Sequence, residues 1–186
     1  MTAAAITLPT GTAPSAPGAS KTALYANASG VLTQITGASG TAMPLLGGGV
    51  VASSTPADPT GTTNTTGKMA GLAGSFTPAT TGRLLLMASG NLTNSTAAAG
   101  DGCKVQLSYG TGTAPANGDT ITGTQVGNLV SSVLERGTAS DLQGFCCLAL
   151  VQSLTVGTAY WLDLTEAAIV GGTGQAKNIS LIAVEI

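Results

Sequence analysis

Phe145-Cys-Cys-Leu-Ala-Leu-Val151 is the stretch on which the fold turns. Read as a strand, its side chains point alternately to two faces. Phe145, Cys147, Ala149 and Val151 share one face, and Cys146, Leu148 and Leu150 share the other. Both faces are apolar. The C-terminal stretch Ile179-Ser-Leu-Ile-Ala-Val-Glu-Ile186 has nearly the same character. In a two-layer sandwich one face of a strand packs on the core and the other meets solvent. A strand that is oily on both sides needs a second cover, and no helical layer is in prospect here. A neighbouring subunit is the natural cover, and a thicker barrel with these strands at its centre is the alternative.

Working outward, Cys103-Lys-Val-Gln-Leu-Ser-Tyr109 alternates cleanly. Cys103, Val105, Leu107 and Tyr109 form an apolar face, with Lys104, Gln106 and Ser108 opposite, as a half-buried strand requires. Turn residues bracket it at Gly100-Asp-Gly102, Gly110-Thr-Gly112 and Asn117-Gly-Asp119. Further strands are expected over 83–89, 125–134, 144–151, 160–165 and 178–186. The expected fold is therefore all-β: an antiparallel, jelly-roll-like β-sandwich over 68–186 that also serves as the trimerisation domain.

The N-terminal third reads differently. Residues 1–22 carry Pro9, Pro14 and Pro17 and suit either a disordered leader or an extended arm that orders on a partner. Residues 23–49 form a small hairpin unit: 23–26 and 31–36 are strand-like around the turn residues Asn27-Ala-Ser-Gly30, and 41–46 adds a third piece. Residues 50–67, with Pro56, Pro59 and a Thr/Gly run, read as a linker or a long surface loop.

Only 8% of the 186 residues are charged and 3% are aromatic. An average soluble domain has about 25% charged residues, so dispersal as a monomer is poorly supported and self-association favoured. The net charge is -2, and the six cations are scattered, which argues against nucleic-acid binding. No apolar run reaches the roughly 20 residues of a membrane helix, and no leader peptide is recognisable at the N-terminus.

There is no histidine, which excludes Ser-His-Asp and Cys-His catalysis. The acids are dispersed, and the three cysteines, Cys103, Cys146 and Cys147, suit neither a disulfide framework nor a zinc site. Aspartates on the turns at 101 and 119 could offer oxygen to calcium but match no calcium-binding loop. No catalytic, metal or cofactor role is expected, and the chain is not expected to be an enzyme. One ligand contact is considered: Trp161 and Asp163 share a strand face and could grip a sugar if that face is open.

Two segments resemble phage structural proteins. Ala16-Pro-Gly-Ala-Ser-Lys-Thr-Ala-Leu-Tyr-Ala-Asn-Ala-Ser-Gly-Val-Leu32, with Pro44-Leu45 further on, is similar to the N-terminal hairpin unit of phage fibre and decoration proteins. Tyr109-Gly-Thr-Gly112, Leu154-Thr-Val-Gly-Thr-Ala-Tyr-Trp161 and Ile182-Ala-Val-Glu-Ile186 resemble a β-sandwich module of phage virion proteins, with Val156 where that module carries Pro. The resemblance implies a virion role, assembly in the bacterial host cytoplasm and a homotrimer.

The expected function is a capsid decoration or cement protein that binds the major capsid protein, or another virion protein, through its N-terminal region. Leu24, Tyr25, Val31, Leu32 and Ile35 are the expected attachment residues. Phe145, Cys147, Leu148, Leu150, Ile179, Leu181, Ile182 and Val184 are the expected trimer contacts. The alternative is a short tail-fibre or tail-tip protein whose sandwich binds a host glycan through Trp161 and Asp163.

Overall fold

A computed structural model describes residues 11–13, 15, 22–26, 32–36, 41–44, 49–96, 98, 100–133 and 141–186. It divides into two compact units, Met1–Gly48 and Gly49–Ile186. Every regular element among the described residues is a β-strand.

The first unit holds β1 (Thr22–Ala26), β2 (Leu32–Thr36) and β3 (Thr41–Pro44), an antiparallel sheet in that order. Alternation within β2 turns Thr33 and Ile35 to the buried side. The backbone N–H of Gly11 donates to Ala26 O at 3.2 Å, which lays residue 11 against the end of β1. The remainder of the expected arm, apart from 12, 13, 15 and 22, lies outside the described residues.

The second unit is a β-sandwich. Its strands are β4 (Gly49–Ser54), β5 (Lys68–Met69), β6 (Gly74–Phe76), β7 (Leu84–Asn94), β8 (Gly102–Gly110), β9 (Thr124–Val133), β10 (Gln143–Val151), β11 (Tyr160–Ile169) and β12 (Gly174–Glu185). One sheet runs β10-β7-β12-β4. The other runs β5-β11-β8-β9, with β6 also paired to β11. All pairings are antiparallel.

If β5 and β6 are taken as one interrupted strand, eight strand positions remain. Counted along the chain, the sheets then read 1-8-3-6 and 2-7-4-5, which is the jelly-roll order. The stretch from 50 departs from its reading as a linker. It opens with β4, because Val51 and Ala52 pack on the core beside β12. Thr62 and Gly174 then exchange backbone hydrogen bonds of 2.8 and 2.9 Å, tying the following loop to the sandwich.

The core follows from strand parity. Leu84, Leu86 and Ala88 of β7, Cys103, Val105 and Leu107 of β8, Leu162 and Leu164 of β11, and Ile179, Leu181 and Ala183 of β12 all point between the sheets. Phe145, Cys147, Ala149 and Val151 join them from β10. Where β9 meets β10 the sheets close on each other. Gly127 permits this: it has φ +71°, and a β-carbon there would stand 2.7 Å from Leu148 O. At the opposite side, β4 and β6 leave the sandwich open.

Candidate assembly surface

The register across β10, β7 and β12 decides what the outer face of the first sheet presents. Cys146 lies opposite Ser89, and Ser89 opposite Ser180. The next row is Leu148, Met87, Ile182 and, on β4, Ser53. The row after that is Leu150, Leu85 and Val184. These residues have the parity opposite to the core, so their side chains leave the sandwich. None is charged.

Leu148 is 51% exposed and Leu150 48% exposed. Leu85, Met87, Ile182 and Val184 are half-buried, because each lies between neighbours in its own sheet. Two adjacent rows therefore form a contiguous apolar strip three strands wide. Strips of this kind mark contact surfaces more often than scattered exposed leucines do.

The eight expected trimer contacts separate by parity. Leu148, Leu150, Ile182 and Val184 lie on the outer face. Phe145 (6% exposed), Cys147, Ile179 and Leu181 are core residues of the protomer. Those four are corrected: they face the second sheet and offer nothing to another chain. Leu85 and Met87 were missed, although Leu84-Leu-Leu-Met87 is apolar on both parities and carries the same signal as 145–151. The arrangement also removes the thicker-barrel alternative. β10 is the end strand of its sheet, and its second apolar face is open rather than enclosed.

The thiols fall on the same division. Cys146 is exposed on the outer face, while Cys103 and Cys147 are buried. Burial, reinforced by the nearby Glu166 carboxyl, pushes the Cys103 thiol up to about 12. Burial, with a smaller contribution from Cys146, pushes Cys147 up to about 11.

Of the expected attachment residues, Leu24 is 50% exposed, Tyr25 half-buried and Ile35 1% exposed. Ile35 therefore supports its own sheet. Leu32 lies on β2, its side chain outside the described set, and Val31 lies outside the described residues.

Trp161 and Asp163 do point away from the sandwich core, but not into solvent. The loops from β5 to β6 and from β8 to β9 form a second layer over them. Trp161 is 5% exposed, and its Nε1–H donates to Thr111 O at 3.2 Å. Asp163 is fully buried, and its carboxylate accepts N–H groups of Gly71 and Leu72 at 3.0 Å and of Leu164 at 2.8 Å. The open sugar platform expected there is replaced by a loop clamp.

Other carboxylates also hold backbone. Glu185, at the end of β12, accepts the N–H groups of Ala79 and Thr80 at 2.8 Å, Thr81 at 2.5 Å and Gly82 at 3.0 Å. Burial opposes its charge, yet these donors together hold it down to about 2. Glu166 faces the core side of β11 and accepts Ala176 N–H of β12 at 3.2 Å, linking the two sheets. Burial pushes Glu166 up to about 7, with Ala176 opposing, and pushes Asp163 up to about 6 against its three N–H donors.

Asp101 binds Gly171 N–H at 2.9 Å and the Thr96 hydroxyl. Among the described residues no three His, Cys, Asp or Glu side chains gather as metal ligands. No family model, curated protein or solved structure matches the chain, so its features stand on their own geometry.

Proposed function

We propose that this protein is a structural component of a phage virion, a decoration or cement protein that binds the head as a homotrimer. One observation carries the reading: the uncharged apolar strip of Leu85, Met87, Leu148, Leu150, Ile182 and Val184 on the outer face of the β10-β7-β12-β4 sheet. Covering a half-exposed leucine contributes about 1 kcal/mol by area, so Leu148 and Leu150, with smaller contributions from the four half-buried members of the strip, favour association when repeated on each copy. The low charge of the chain fits a molecule that works in an assembly, and the resemblance to phage virion proteins supplies the setting.

Jelly rolls recur in viral shells and in lectins, so the fold alone does not choose between them. The buried state of Trp161 and Asp163 favours the shell reading over the glycan-binding alternative. The first unit, with Leu24 exposed, is the part assigned to the head surface.

Electron imaging of virions labelled with antibody against this chain tests the reading. Label on the head surface is expected. Label confined to the tail, or virions without label, contradicts it.

A further inference from the structure

Residues 58–67 lie as a strap where β11 ends and β12 begins. Besides the two backbone hydrogen bonds between Thr62 and Gly174, Asn64 O accepts Ala168 N–H at 3.0 Å. Asp58 accepts Asn178 N–H at 2.7 Å, and the Gln175 side chain donates to Pro59 O. Gly61 sits flush on β12: its φ is +79°, and a β-carbon there would stand 2.8 Å from Gly174 O. Asp58, Thr60, Thr63, Thr65 and Thr66 are exposed, so the strap is held by polar bonds more than by apolar packing. Segments of that kind open locally while the rest of a domain stays folded.

Glu166 lies beneath the strap, 1% exposed. A carboxylate offers about four acceptor sites. Here Oε2 takes Ala176 N–H at 3.2 Å, and Oε1 accepts no hydrogen bond from the described residues. The strap's Gly61 N–H favours the charge more weakly than Ala176 does. A buried anion with so few donors is costly, and the neutral acid is far less so.

No facing group restores the balance. Asp163, on the same strand, opposes the charge. The Cys103 thiol on β8 is itself kept neutral by burial. Lys68 is its register partner on β5 and Lys104 lies opposite Ala167 on β8, yet neither appears among the groups that stabilise the carboxylate. From β12, Gly174 and Ala176 face it and carry no titratable group, while Lys177 has the outward parity. Asp58 and Asp101 are committed to Asn178 and to Gly171 with Thr96.

We propose that Glu166 is a proton-dependent latch for residues 58–67: as the neutral acid it lets the strap close over it, and on ionising it drives the strap open. Opening admits water to the carboxyl, and the proton passes to the solvent. In the open form the group returns towards its ordinary 4.5, so opening grows as pH rises from about 4.5 to about 7 and levels off above. Asp163 holds Gly71 and Leu72 on the opposite face of β11, so its own titration releases a different loop.

Amide hydrogen exchange of the full-length chain at pH 5 and pH 7.5, corrected for intrinsic rates, tests the latch. Peptides from the strap are compared with peptides from β7 and β8. Strap protection is expected to fall at least about tenfold between the two pH values, while staying below that of β7 and β8 at both. Glu166→Gln keeps the shape without the charge and should hold its pH 5 protection at pH 7.5. Gly61→Val, which retains Glu166, should leave the strap unprotected at both pH values with β7 and β8 still protected. Equal strap protection of the parent at both pH values overturns the latch, as does a Glu166→Gln strap that loosens like the parent's. Strap exchange at the rate of β7 and β8 makes the opening global and overturns it too. So does a Gly61→Val strap as protected as the parent's, or a Gly61→Val chain that loses protection throughout.

Discussion

Single carboxylates set the pH response of this molecule. Glu185 has its folded value lowered to about 2, below the ordinary 4.5, by the donors at 79–82. Its contribution is complete above 4.5 and is lost as pH falls through about 2. Asp163 and Glu166 act in the opposite sense. Their folded values are raised to about 6 and about 7, so the stability linked to them is complete below about 4 and is lost as pH rises through 6 to 7. Thermal unfolding at a series of pH values should therefore show greatest stability near pH 4 to 5.

Replacing Glu166 by Gln should flatten the decline between pH 4.5 and 7. An undiminished decline would assign the slope elsewhere. Replacing Glu185 by Gln removes an anion from four N–H donors and should cost about 1–3 kcal/mol at neutral pH. That deficit should shrink towards pH 2 in the same unfolding experiment.

At the scale of the strand, Gly127 carries the closed side of the sandwich. Its positive φ and the 2.7 Å approach of its notional β-carbon to Leu148 O leave no room for a side chain. Gly127→Val should lower stability by about 2 kcal/mol or more, read by denaturant unfolding. A variant as stable as the parent would show that β9 does not need to sit on β10. The strands themselves were legible because alternation fixes parity, as in Cys103–Tyr109 and in 145–151. What alternation could not supply was which of two apolar faces looks inward, and so the sequence offers both faces as contacts, the core residues Phe145 and Cys147 together with Leu148 and Leu150. β4 was hidden for another reason. Gly49-Val-Val-Ala-Ser-Ser54 has too few large side chains to stand out from the Thr/Gly-rich stretch after it, and only pairing with β12 makes it a strand. Trp161 misled because strand parity says nothing of loops that return to cover an outer face.

For the whole molecule, the protomer's core accounts for one face of the two-sided apolar strands, and the assembly we propose accounts for the other. Cys146 lies on the uncovered half. In the assembled protein a maleimide should label Cys146 slowly, and in an assembly-defective variant quickly. Cys103 and Cys147 should stay unlabelled in both until the chain unfolds, since burial excludes the reagent and disfavours their thiolates. Equal, fast labelling of Cys146 in both proteins would remove it from the contact.

The solution mass of the full-length chain, measured by light scattering beside a Leu148→Glu, Leu150→Glu double variant, bears most directly on the claim that the outer sheet face is where copies join. The account predicts a trimer for the parent and a folded monomer for the variant. A parent that remains monomeric, or a variant that remains trimeric, contradicts it.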